Sequence, residues 1–247
     1  MTSDEAFSFA SDPLADPVFT APETPPAAVC RSVRKTYRTA SESVTALDDV
    51  SVTIPRAQVT VVVGPSGSGK SSLLRLLACI DSPDAGEVLI AGRRVDQLGA
   101  RARRALRQRQ VAYLFQRPGE NLLPYLDAVA QVRLAASLRG APVTVAAALV
   151  LLDRLGLRER ADHHPAQLSG GEQQRLAVAC GVVGDPALVV ADEPTAELDT
   201  AAAERVLVAM EDLAAAGVGF VISSHDPRVM AIADGFVRLD HGRLVAS

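Results

Sequence analysis

The sequence predicts an α/β fold with a mainly parallel sheet. Three observations carry that reading. The β-branched run Gln58–Val63 ends at Gly64 and is followed by helical spacing over Lys70–Cys79. Two more apolar runs, Leu188–Ala191 and Gly219–Ser223, are separated by a helical pattern over Ala201–Ala215. Strands alternating with helices are what a helix-covered parallel sheet needs.

Around that core the remaining elements fall into place. Residues 28–37 and 43–54 alternate apolar and polar side chains, which predicts an N-terminal antiparallel β subdomain. Val88–Ala91 and Val111–Phe115 read as further strands. Residues 124–160 read as mainly helical with a break at Gly140–Pro142, and Gly171–Val183 reads as a helix. Together they predict an inserted α-helical subdomain over about 117–180. A short helix at 226–233 and strands near 235–240 and 243–246 close the chain.

The chain has 247 residues with 48% hydrophobic content, enough for a sizeable core and too apolar for a disordered protein. Its formal net charge of −4 argues against a dedicated nucleic-acid binder, so no nucleic-acid partner is expected. Cys30, Cys79 and Cys180 form neither a CxxC nor a metal spacing, which points to a reducing compartment. The strongly apolar stretch Val145–Leu152 is far short of the roughly 20 residues a bilayer-spanning helix requires. The segment before Arg31 has no base and no signal-type apolar core. A soluble or peripheral cytoplasmic chain is the expectation, with any membrane crossing done by another chain.

Residues 1–27 differ from the rest. They hold Asp4, Glu5, Asp12, Asp16 and Glu23, no base, and five prolines, a composition that predicts a disordered acidic tail. Phe7, Phe9 and Phe19 leave open a second reading, a short segment that docks on a partner. Arg101, Arg103, Arg104, Arg107 and Arg109 read as a solvated helix face, with anionic lipid headgroups as the alternative ligand.

Residues Gly64, Pro65, Ser66, Gly67, Ser68, Gly69, Lys70 and Ser71 fit GxxxxGK[ST] between a predicted strand and a predicted helix, the context the motif requires. Glycines let backbone N–H groups converge on phosphate oxygens, and the helix N-terminus adds unsatisfied donors and the positive end of a dipole. Lys70 is placed to reach the β- and γ-phosphates and Ser71 to ligate Mg²⁺, with Ser72 completing the ATP-binding run.

The apolar run Leu188–Ala191 ends in Asp192 and Glu193. In a parallel sheet ligands gather at the carboxyl ends of strands, which brings these acids to the phosphates. Asp192 is the candidate Mg²⁺ holder and Glu193 the candidate general base for water.

Leu168, Ser169, Gly170, Gly171 and Glu172, followed by Gln173-Gln174-Arg175, form a second candidate anion-binding helix start, with Ser169 as N-cap. Two such termini and one nucleotide imply that the second serves a nucleotide on another protomer. Here the chain resembles the nucleotide-binding subunits of ATP-binding cassette (ABC) transporters, for which LSGGxxxR is the signature. The resemblance covers about residues 28–247 and implies the P-loop NTPase fold of an ABC ATPase.

It also implies further roles. Tyr37, 27 residues before Gly64, resembles the aromatic that stacks on adenine. Gln116 resembles the glutamine that contacts Mg²⁺ and water and relays to the membrane partner. Asp199, in Ala196-Glu197-Leu198-Asp199, resembles the D-loop aspartate at the dimer interface. His225, 32 residues after Glu193, resembles the switch histidine on the γ-phosphate. The implied activity is ATP hydrolysis by a dimer, expected to be a homodimer, on the cytoplasmic face of a membrane where it drives a multi-spanning permease. The cofactors implied are ATP and Mg²⁺.

Leu168–Arg175, residues 78–87 and Asn121–Pro124 resemble most the subgroup of lipoprotein release, macrolide efflux and antimicrobial-peptide export, which points to export. A regulator of a membrane-bound cell-envelope complex, or a non-transport ATPase, is the alternative reading. DNA-maintenance relatives carry a long coiled coil between the glutamine and the signature, and here only about 50 residues without heptads separate Gln116 from Leu168. Two departures stand out. The segment from Gln116 to Asn121-Leu122-Leu123-Pro124 is about two residues longer than the family spacing. The D-loop carries Glu197 where a smaller or neutral residue is common.

Overall fold

A computed structural model describes residues 25–38 and 43–245. The chain begins with the antiparallel pair β1 (Ala28–Arg38) and β2 (Ser43–Ile54), then β3 (Val59–Val63) and α1 (Lys70–Leu77). β4 (Ala85–Ile90) and β5 (Arg93–Arg94) are followed by α2 (Ala100–Gln110) and β6 (Val111–Leu114). α3 (Ala128–Arg139) and α4 (Val145–Arg154) precede α5 (Gly170–Val182). β7 (Leu188–Asp192), α6 (Thr200–Ala215), β8 (Gly219–Ser223), α7 (Pro227–Ala231), β9 (Gly235–Asp240) and β10 (Arg243–Leu244) complete it.

Two sheets result. One is antiparallel with order β2-β1-β4-β5, and the other has order β10-β9-β3-β8-β7-β6. In the second, β9, β3, β8, β7 and β6 run parallel and only β10 is antiparallel to its neighbour. The α/β class with a mainly parallel sheet therefore stands.

The parallel strands are apolar throughout because both faces are covered. Val61, Val189, Ala191, Phe220 and Ile222 face a core shared with α3, α4, α5 and α6. Val62, Leu188, Val190 and Val221 face the opposite core, built from Leu73, Leu74, Leu76 and Leu77 of α1 and the antiparallel sheet. The side-chain alternation of each strand thus divides the molecule into two hydrophobic layers.

Helix boundaries follow local chemistry. Asp127, Thr144, Ser169 and Asp199 cap α3, α4, α5 and α6, each accepting a hydrogen bond from a first-turn backbone N–H. α1 stops two residues short of the predicted end because Cys79 turns left-handed at φ 54°. The arginine-rich run is a helix, α2, with Leu106 as its buried residue. Of the tail expected over 1–27, residues 1–24 lie outside the described residues. Ala27 is fully buried, and its carbonyl accepts from Ala91 N, so it belongs to the folded body rather than to a tail.

Candidate functional site

β3 sits between β8 and β9, and its carboxyl end delivers residues 64–69 to the start of α1. Val62 pairs with Ser223 and Asp192 pairs with Ser223, so the phosphate loop, the acidic pair and the residues after β8 meet at one end of the sheet. Chain positions more than 100 residues apart become neighbours by strand register alone.

The loop's glycines are dictated by space. A Cβ on Gly64 would lie 2.1 Å from the Leu239 carbonyl oxygen, and one on Gly69 2.3 Å from that of Ala46. Gly67 and Gly69 also adopt φ of +78° and +102°, a combination of conformations that aims successive N–H groups inward. Lys70 Nζ donates to the carbonyls of Gly64 at 2.7 Å and Pro65 at 3.0 Å, with no carboxylate partner among the described residues. An ammonium held over the loop by carbonyls alone is matched to an incoming polyphosphate. Ser68 Oγ is buried without a partner in the same loop.

The acids lie beside it. Asp192 Oδ1 accepts from Ser223 Oγ, and Tyr113 Oη lies 3.5 Å from Oδ2. Burial, reinforced by the Asp192 charge, pushes the Tyr113 phenol up to about 12. Glu193 holds a left-handed φ of 46°, an outlier for a non-glycine residue. Its N–H donates to Ser223 O at 3.0 Å and its carbonyl accepts from Ala196 N at 3.2 Å, which holds that geometry. Ser224 Oγ donates to Glu193 Oε2 at 3.0 Å, and His225 Nε2 stands 3.9 Å from Oε1. Glu193 and His225, separated by 32 residues, are therefore brought together. Neither Tyr113 nor Ser224 was anticipated. Ser224 immediately precedes His225 and was legible, whereas Tyr113 reaches Asp192 only through β6–β7 pairing.

Ser71, Asp192 and Gln116 carry oxygen donors of the kind a hard cation takes. Asp192 bonds only to neutral hydroxyls, and none of the described ion pairs involves it. Among the described residues no group of three His, Cys, Asp or Glu side chains could hold a metal unaided. The fit is to Mg²⁺ held jointly with nucleotide oxygens. Gln116 is exposed just past β6. Tyr37, at the end of β1, is about one-third exposed and donates to Asp81 Oδ2 at 2.8 Å, with Lys35 Nζ 5.4 Å from its ring centroid.

Ser169 begins α5 with a reciprocal cap. Its hydroxyl accepts from Glu172 N, while Glu172 accepts from Ser169 N at 2.8 Å and from Arg160 at 3.0 Å. Leu168 is buried in the core on that side. The two glycines differ in purpose. Gly170 is open enough for a Cβ, whose nearest neighbour would be Leu198 Cδ2 at 3.6 Å, but a Cβ on Gly171 would lie 2.6 Å from Ala202 Cβ. Gly171 is thus required for α5 to approach α6, a reason the sequence did not disclose. Asp199 caps α6 through Ala202 N at 2.8 Å.

The two departures meet. The longer segment after Gln116 forms a 3₁₀ turn, Pro118–Asn121, with Asn121 Oδ1 accepting from Phe115 N at 3.2 Å. Arg117 Nε at its start lies 3.4 Å from Glu197 Oε1 of the D-loop segment.

Comparison with known proteins gives the family and the fold. Residues 47–196 match the family model described as ABC transporter. The chain belongs to this family, and its fold is that of an ABC ATPase. It is 39% identical over 218 residues to the lipoprotein-releasing system ATP-binding protein LolD of Chromohalobacter salexigens, covering 87% of this chain and 91% of that one. It is 41% identical over 218 residues to the macrolide export ATP-binding/permease protein MacB 1/2 of Paracoccus denitrificans, covering 87% of this chain but 32% of that longer one. The ATP-binding cassette MJ0796, solved as a dimer in a post-hydrolysis state with ADP and Pi, superposes with a TM-score of 0.78 at 30% identity, covering 89% of this chain and 97% of that one. Among the described residues no helix is long and apolar enough to cross a membrane.

Proposed function

We propose that two copies of this chain form an ATP-driven clamp that powers export through a multi-spanning permease on the cytoplasmic face of a membrane. One observation carries the dimer. α1, which follows the phosphate loop, packs into the core on one face of the parallel sheet, while α5, which follows Ser169, packs into the core on the other. Two anion-binding helix starts separated by a sheet are poorly placed to share one nucleotide within a protomer. The loop of one copy facing Ser169, Gly170 and Gly171 of the other resolves this.

In that arrangement Gly64–Ser72 hold the phosphates and Tyr37 offers a ring face to the base. Lys70 exchanges its loop carbonyls for phosphate oxygens. Ser71, Asp192 and Gln116 would hold Mg²⁺, which would supply positive charge against the phosphates. Glu193 takes a proton from the attacking water as the water oxygen bonds to the γ-phosphorus and the bond to the ADP oxygen breaks. His225, beside Glu193, faces the γ-phosphate, and closure supplies the remaining donors in preset positions. The names of LolD and MacB support export, and Gln116 with the helices that follow it is the route to the permease.

The test is Glu193→Gln with ATP and Mg²⁺ on a sizing column. Hydrolysis falls by at least about 10²-fold, as expected for loss of a general base, and the chain elutes as a dimer. A variant that stays monomeric at saturating ATP overturns the clamp.

A further inference from the structure

A groove of about 570 Å³ lies away from the phosphate loop, along β6 between α2, α3 and α5. Its walls are apolar, including Val111, Leu114, Phe115 and Leu138, and its charged groups are cationic. Arg107 and Arg139 line it and no carboxylate does. Arg139 Nη2 donates to Gly181 O at 2.8 Å and Nη1 to Val111 O at 3.2 Å, so carbonyls alone meet its charge. Arg139 Nε and Asn121 Nδ2 are buried without partners. Phe115 and Leu138 are 42% and 56% exposed. The adjoining α2 adds Arg101, Arg103, Arg104 and Arg109 with no acid of its own, and none of the described ion pairs engages these arginines. The groove therefore fits an occupant that brings both apolar side chains and carboxylates.

The chain carries such a segment. Residues 1–24 hold Phe7, Phe9, Leu14, Val18 and Phe19 interspersed with Asp4, Glu5, Asp12, Asp16 and Glu23, without one basic residue. They join the folded body at the correct end of the sheet. Pro25 packs on Gly92, and Ala27 Cβ lies 2.7 Å from the position of a Cβ on Gly219. Gly219 pairs with Leu188 and Leu188 with Val111, so two strand spacings separate Gly219, beside Ala27, from Val111 in the groove wall. That is about 10 Å. Twelve extended residues reach about 40 Å, and covalent attachment gives the segment an effective concentration near millimolar.

We infer that the acidic, aromatic N-terminal segment docks in cis in the groove between α2, β6 and α3, with its phenylalanines on the apolar wall and its carboxylates against Arg107, Arg139 and the α2 arginines. Exposed ion pairs of this kind weaken as salt is raised.

The experiment is amide hydrogen exchange on the isolated full chain and on a chain beginning at Pro25, with no permease and no nucleotide, so its outcome is independent of the transport reading. The full chain shows exchange at least threefold slower in segments covering Arg104–Gln110 and Ala135–Gly140, with β1 and β2 unchanged. A synthetic peptide of residues 1–24 added to the shortened chain restores the protection, and 0.5 M salt removes it. Arg107→Glu with Leu138→Asp, both at the groove surface, abolishes it in a chain whose thermal midpoint is unchanged. Equal exchange in the two chains overturns the inference. So does protection that rises with protein concentration, which marks a second copy, and so does peptide binding that ignores Arg107→Glu with Leu138→Asp.

Discussion

Gly171→Ala separates packing from nucleotide recognition in the signature segment. The added methyl would sit 2.6 Å from Ala202 Cβ and 3.4 Å from Ala202 Cα. Carbon atoms prefer about 3.5–4.0 Å, so α5 and α6 must part by roughly 1 Å where they cross. Overpacking of this size costs about 1–3 kcal/mol, and replacing glycine within a helix returns up to about 1 kcal/mol. The net loss is about 1–2 kcal/mol, which lowers Tm by roughly 2–8 °C in a chain of this length. Gly170→Ala is the contrast, because its methyl meets only Leu198 Cδ2 at 3.6 Å. Its Tm should stay within about 2 °C of the parent. The decisive variant pairs Gly171→Ala with Ala202→Gly, which moves the methyl from one helix to the other. Scanning calorimetry should show strong coupling: the double variant is more stable than the sum of the single effects by at least about 1 kcal/mol. ATP hydrolysis still lost in a double variant of restored stability then reports recognition rather than packing. Additive single effects, or a Gly171→Ala chain as stable as the parent, would refute the packing argument.

Two further outcomes follow from charge and burial. Arg228, with help from its own N–H and Thr195, holds the Asp226 carboxyl below its ordinary value of 3.8. A lowered acid contributes stability that is present above the unfolded value and lost as pH falls through the folded one. Asp226→Asn should therefore cost stability at pH 7 and flatten the decline in Tm below about pH 4, and a profile unchanged by the substitution counts against the pair. Burial pushes the Cys30 thiol up to about 12, Cys79 to about 11 and Cys180 to about 12. Iodoacetamide at pH 8 should label the native chain at least about tenfold more slowly than the chain in urea, read by mass spectrometry, and rapid labelling of native Cys30 or Cys79 would contradict their burial.

Much of the site was legible because its parts are local. Gly64–Ser71 between a strand and a helix is a contiguous motif whose glycines the backbone demands, and Ser169 with Glu172 is a cap readable from four residues. Leu188–Asp192 announced a buried strand ending in acid. Other features were illegible for a physical reason. Gly171 owes its identity to Ala202, a contact between two helices. Tyr113 meets Asp192 through strand pairing, and Arg117 meets Glu197 across the same end of the sheet. The longer segment after Gln116 and the bulky Glu197 look unrelated in the sequence, and the fold joins them through the Arg117–Glu197 ion pair.

The sequence by itself determined the class of fold, the phosphate loop, the acidic strand end and the second helix start, because each rests on backbone conformation and short-range periodicity. Only the tertiary structure decided which distant groups share a site. Strand order and register placed Asp192, Ser223 and the phosphate loop side by side, and helix crossings set the need for Gly171. The alternating faces of five parallel strands put the phosphate-loop helix and the signature helix in separate cores. That separation, which no local pattern encodes, is the physical basis for proposing that a second copy completes the site.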